Sequence, residues 1–127
     1  MATMIKFRAW NSYRKIMSDY VSAIQNGDTQ GTPSSVNVIV NRKNETWDIE
    51  NDDVELLQFT GLKDVKGKDI YEGDILENRK YRSIVKFASG KFIADVVGTI
   101  NRFDLIGETH GSKAIGNVYE NPELLKG

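Results

Sequence analysis

The feature that most constrains this chain is its punctuation: short runs of β-branched and aromatic residues, each closed by a glycine-bearing or otherwise turn-forming cluster. Ser83-Ile84-Val85-Lys86-Phe87 and Lys91-Phe92-Ile93-Ala94-Asp95-Val96-Val97 flank Ala88-Ser89-Gly90. That arrangement predicts a hairpin, because a tight loop needs left-handed backbone that glycine adopts at little cost. Val36-Asn37-Val38-Ile39-Val40 and Glu45-Thr46-Trp47-Asp48-Ile49 flank Asn41-Arg42-Lys43-Asn44 and predict a second one. Residues 5–10 alternate, with Ile5, Phe7 and Ala9 on one side and Lys6, Arg8 and Trp10 on the other, the period of a half-buried strand. Asp64 and Gly67 stand at the first and fourth positions of a type I turn. Further strand-like runs occupy 54–60, closed by Gly61, then 70–76, 99–106 and 114–119. Pro122 can open a helical turn through Glu123-Leu124-Leu125. About eight such segments at short spacing predict a mainly β fold, a small barrel or sandwich with at most one or two short helices.

Three stretches read less simply. Tyr13, Ile16, Met17, Tyr20, Val21 and Ile24 recur at helical spacing, and Ser12 and Asn26-Gly27 could bound a helix over 13–25. Residues 26–35 are almost all turn formers and predict a loop. Glu45, Asp48, Glu50, Asp52, Asp53 and Glu55 form an acidic run, expected as a solvated loop; it lacks the glycine and the spacing of a calcium loop.

Composition removes whole classes of chemistry. The absence of cysteine excludes disulfides, thiolate nucleophiles, zinc ribbons and iron–sulfur ligation. With 17 basic and 18 acidic residues, the net charge of −1 supplies no general pull toward nucleic acid or an anionic membrane. No apolar run approaches the roughly 20 residues of a membrane-spanning helix. The start reaches Lys6 and Arg8 too soon for a signal peptide, so a cytoplasmic location is expected.

The reactive candidates are few. His110 stands alone in a polar loop, and no Gly-x-Ser-x-Gly elbow is present to position a nucleophile. Asp69, Glu72 and Asp74 could hold magnesium or exchange protons. Against that, an Asp following Gly73 at a strand start more often binds the backbone amides of its own turn, with Glu72 the exposed member. Gly61 to Gly67-Lys68 misses the phosphate-loop spacing by one residue and has Asp69 where the hydroxyl should be. No catalytic, metal or cofactor-binding residue is therefore assigned. Arg79, Lys80, Arg82, Lys86 and Lys91, with Tyr81 among them, could bind single-stranded nucleic acid or form the solvated face of a hairpin. Trp10, on the polar side of its strand, is either a contact for a protein partner or a second copy, or is buried within the chain. Trp10, Arg79, Lys80, Tyr81 and Arg82 are the candidate contact residues.

Three blocks carry a resemblance. Lys6-Phe7-Arg8-Ala9-Trp10 is similar to the opening of the YopX family of phage and prophage proteins. Leu57-Gln58-Phe59-Thr60-Gly61-Leu62-Lys63-Asp64 with Gly67-Lys68-Asp69-Ile70-Tyr71-Glu72-Gly73-Asp74-Ile75 resembles its central signature. Ile115-Gly116-Asn117-Val118-Tyr119-Glu120-Asn121-Pro122-Glu123-Leu124-Leu125 resembles its C-terminal one. The resemblance implies one β-rich domain over 1–127, with an N-terminal lobe to about residue 56 and a barrel-like part beyond it. It implies a phage or prophage origin and no assigned activity. It also implies an extended course from Met17, placing Met17, Val21 and Ile24 on strands, and this reading is preferred over the helix because fold context overrides local propensity. The expected function is a non-enzymatic binding or assembly module acting on host or phage proteins or on itself. A nucleic-acid-binding barrel using 79–91, or a hydrolase using Glu72, Asp74 or His110, would be the alternatives.

Overall fold

A computed structural model describes residues 6–26 and 33–126, and the chain is mainly β with short strands. It divides into two compact units, Met1–Gln58 and Phe59–Gly127.

In the first unit, β1 (Phe7–Asn11) pairs antiparallel with β2 (Ile16–Met17) on one side and with the first half of β6 (Val54–Lys63) on the other. β3 (Tyr20–Asn26), β4 (Pro33–Val40) and β5 (Lys43–Asp48) form a separate antiparallel sheet in that order. Register places Val36 opposite Trp47 and Val38 opposite Glu45. Alternation then gathers Val36, Val38, Val40 and Trp47 on one face, where they form a core with Ala9 and Val54. The opposite face is polar: Asn37 Oδ1 accepts from Thr46 Oγ1 at 2.9 Å and Gln25 Nε2 at 3.3 Å.

The stretch 13–25 is extended, as the resemblance implied and against its helical rhythm. The cause lies at its start. Asn11 Oδ1 accepts the Arg14 amide at 2.8 Å, the Asn11 carbonyl accepts the Lys15 amide at 2.8 Å, and Lys15 turns left-handed at φ 60°. That tight turn delivers Ser18 back to β1, where Ser18 Oγ accepts the Ala9 amide at 2.8 Å. Ladder bonds to β1 and β4 outweigh a local preference worth tenths of a kcal/mol per residue.

Four expectations for this unit need correction. Strand β1 is covered on both faces at Ala9–Asn11, so Trp10 is 6% exposed instead of standing on a polar side. The loop expected at 26–35 is narrower, because Asn26 ends β3 and Pro33 to Ser35 begin β4; its residues 27–32 lie outside the described residues, as does Ile5. The β4–β5 turn contracts to Asn41 and Arg42 (φ 52° and 68°), which lets Lys43 and Asn44 join the ladder. The acidic run is not one loop: Glu45 and Asp48 lie in β5, Glu55 in β6, with only 49–53 as turn between them.

The second unit contains the rest of β6, which pairs with β7 (Asp69–Tyr71). β8 (Asp74–Glu77), β9 (Arg82–Ala88), β10 (Lys91–Val96), β11 (Arg102–Asp104) and β12 (Lys113–Asn117) form an antiparallel sheet in the order β11-β10-β9-β8-β12. Ser89 and Gly90 turn β9 into β10 at φ 55° and 82°, a primed turn that closes the expected hairpin. Leu76, Val85 and Ala94 share one face and form a core with Ile70 and Leu105. The other face carries buried Ile75 and Ile93 together with cross-strand ion pairs, Lys86–Asp95 at 2.8 Å, Lys91–Asp104 at 2.7 Å and Arg82–Glu77 at 3.0 Å.

Strand β6 runs past Gly61 (φ 84°) to Lys63 rather than stopping at 60. The strand expected at 99–106 shrinks to three residues, and the chain turns into α1 (Leu105–Glu108), which buries Leu105 in the core. The helical turn expected at Pro122 is present as a 3-10 turn, Pro122–Leu125. No helix among the described residues is long and apolar enough to cross a membrane.

Candidate interaction surface

Three side-chain staples fix the second unit's loops. Asp64 is buried, and its carboxylate accepts the amides of Lys66 (2.8 Å), Lys68 (2.9 Å) and Ala114 (2.8 Å). Burial alone would push this carboxyl up. The amides of Ala114, Lys68 and Lys66, with the Lys68 charge, outweigh it and hold the group below the ordinary aspartate value. The predicted type I turn is present, with the Gly67 amide bonded to the Asp64 carbonyl at 2.9 Å. The link to Ala114, 50 residues away, left no mark in the sequence. Asp74 behaves as a structural aspartate, accepting the Tyr71 amide at 2.9 Å from a buried position, while Glu72 is half-buried rather than exposed. Asn78 Oδ1 accepts the amides of Lys80 (2.8 Å) and Tyr81 (2.9 Å), which shapes the turn before β9.

The basic cluster is largely neutralised within the unit. Arg82 bonds Glu77 and donates to the Leu124 carbonyl at 2.8 Å. Lys86 and Lys91 are paired as above. Tyr81 stacks on Phe103 with ring centroids 5.9 Å apart, and its hydroxyl donates to Glu108 at 2.7 Å. That carboxylate holds the phenol above its ordinary value. Of the expected basic contacts, only Arg79 and Lys80 are exposed without an ion pair among the described residues. His110 is exposed in a turn, and no three His, Cys, Asp or Glu side chains among the described residues gather as metal ligands would.

Two surface features were not foreseen. One is a cleft of about 290 Å³ lined by Val65, Glu77, Asn78, Arg79, Gly111 and Lys113. The other is an apolar groove of about 320 Å³ floored by Leu62, Phe92, Leu105 and Ile106 and rimmed by the Lys91–Asp104 pair. Register explains the groove. The face that carries Val85 and Ala94 continues to the hairpin end, where Phe87 and Phe92 meet edge-on at 5.0 Å. There Phe87 is 49% and Ile106 67% exposed. Both residues were visible as apolar letters, but their exposure depends on how far the core extends.

Among functionally curated proteins, none matches this chain. Two solved structures do. Protein EF1440 from Enterococcus faecalis is 27% identical, with a TM-score of 0.66 over 98% of this chain and 100% of that one. YopX from Bacillus subtilis is 22% identical, with a TM-score of 0.62 over 96% of each chain, a likeness of fold. The family model described as YopX protein matches residues 6–126. The chain belongs to the YopX family.

Proposed function

We propose that the protein is a non-enzymatic binding or assembly module of a phage or prophage, acting in the host cytosol through the second unit. The supporting observation is the groove beside Phe87 and Ile106. It extends a core face into solvent, and interface cores favour aromatic and large apolar side chains over charged ones. The partner is a protein, because an apolar floor with a single ion pair on its rim offers a nucleic acid little charge. Trp10 is too buried to contribute.

The nucleic-acid reading rests on Arg79 and Lys80, since Tyr81 and Arg82 have partners within the chain. It requires binding that weakens steeply with salt and fails in R79A/K80A.

The test begins with capture from prophage-carrying cells by the native protein and by F87S/I106S, each checked for unchanged melting. The captured partner is then purified and rebound. Binding at least about tenfold weaker to the double variant supports the proposal. Equal binding to both proteins rejects the groove as the contact.

A further inference from the structure

The cleft around Arg79 and Lys113 is a site of a different kind from the groove. Both of its walls are fixed before anything binds. On one side Asp64 ties the 64–68 turn to β12 through the Ala114 amide, and the Val65 amide bonds the Ser112 carbonyl at 3.0 Å. On the other, the Asn78 turn is closed by two side-chain bonds and by the Asn78 amide to the Tyr81 carbonyl at 3.1 Å. Among the described residues, Glu77 is the one carboxylate lining the cleft, and Arg82 holds it at 3.0 Å. The neighbouring acids are engaged as well: Glu108 by the Tyr81 hydroxyl, Asp64 by three amides, Asp69 by Lys63 at 2.7 Å. Arg79 and Lys113 therefore line a cleft whose acids are already satisfied, with Lys66 and Lys80 exposed on the flanking turns. A guanidinium and an ammonium on fixed walls suit carboxylates. No aromatic ring is among the described residues lining the cleft, and Tyr81 on the flanking turn already has one face stacked on Phe103.

The chain carries a complementary feature. Asp48, Glu50, Asp52, Asp53 and Glu55 follow one another with no lysine or arginine between them. Their turn is ordered by backbone bonds from Asp52 to Asp48 (3.0 Å) and Val54 to Ile49 (2.9 Å), and by the Asn51 amide to Asp48 Oδ1 (2.8 Å). Glu50, Asp53 and Glu55 are exposed and have no cationic partner among the described residues. A rigid turn presents these charges without the entropic cost of ordering a flexible segment.

We infer that the acidic turn at 48–55 of one copy docks on the Arg79–Lys113 cleft of a second copy. The inference rests on the reading of the protein as a binding and assembly module, and names a second copy as one of its partners. Each copy carries both patches, so the contact is either reciprocal, closing a twofold dimer, or head-to-tail, closing a ring or running on as a chain of copies.

Light scattering on the full chain tests it. The native protein should associate at low salt and weaken by about tenfold or more between about 0.05 and 0.5 M sodium chloride. R79E/K113E and E50K/E55K should each be monomeric with unchanged melting; Asp53 is left alone because it sits at φ 49°. An equimolar mixture of the two variants should recover association, since each supplies the patch the other lacks. A native protein that stays monomeric at every salt, or variants that associate like the native chain, would overturn the inference. So would a single-stranded oligonucleotide that binds the native cleft, loses R79E/K113E, and leaves no self-association. None of these variants touches Phe87 or Ile106, so groove-dependent partner binding can survive the failure of this contact, and the converse.

Discussion

Gly73 lies at φ 85°, and a Cβ built there would stand 2.8 Å from Tyr119 Cε2. Gly67 has nearly the same backbone, φ 83°, with open space around it. The pair separates two effects. Gly67→Ala should cost about 1–2 kcal/mol, the left-handed penalty alone, whereas Gly73→Ala should cost about 3 kcal/mol or more because an aromatic ring must also move. Urea midpoints of the two variants decide it; equal losses would mean that the ring yields freely. Asp64 is the second residue with outsized weight. Asp64→Ala strands three amides and should cost about 2–4 kcal/mol. Its folded carboxyl titrates below the unfolded one, so its contribution is fully present above the unfolded value near 4 and is lost as pH falls through the folded value. The native protein should therefore lose stability more steeply than Asp64→Asn between about pH 4 and pH 2, read from urea midpoints.

At the scale of elements, the turns were the most legible part of the sequence. Ser89-Gly90 and Asp64 with Gly67 each announced their geometry, because few residues tolerate those backbone angles. Boundaries were less legible. Arg42 at φ 68° is an unexpected second residue for a primed turn, and Asn-Gly would suit it better. Arg42→Gly should raise stability by about 0.5 kcal/mol, measured as a small rise in melting temperature. At 13–25 the extended course came from the resemblance and not from the residues, because six apolar and aromatic side chains at helical spacing say nothing of the Asn11 turn that redirects the chain. Of the surface, Arg79 and Lys80 were found from the sequence. Their partner in the cleft, Lys113, was not, since it reaches the site only through the pairing of β12 with β8. The sheet edges leave contact with a partner to side chains. β2, β7 and β11 are two or three residues long, β3 and β12 carry register shifts, and β5 carries Lys43, Glu45 and Asp48, all features that discourage strand addition.

At the scale of the whole molecule, the second unit carries two surfaces fixed by its folding: a core face that continues past its core, and a cleft between turns stapled by Asp64 and Asn78. Apolar burial on binding leaves a negative heat-capacity change. The most direct test is calorimetric titration of the reconstituted partner against the native protein and F87S/I106S at several temperatures. Docking on the groove predicts a negative heat-capacity change for the native protein, and affinity at least about tenfold lower in the variant. The same affinity and heat capacity for both proteins would contradict it.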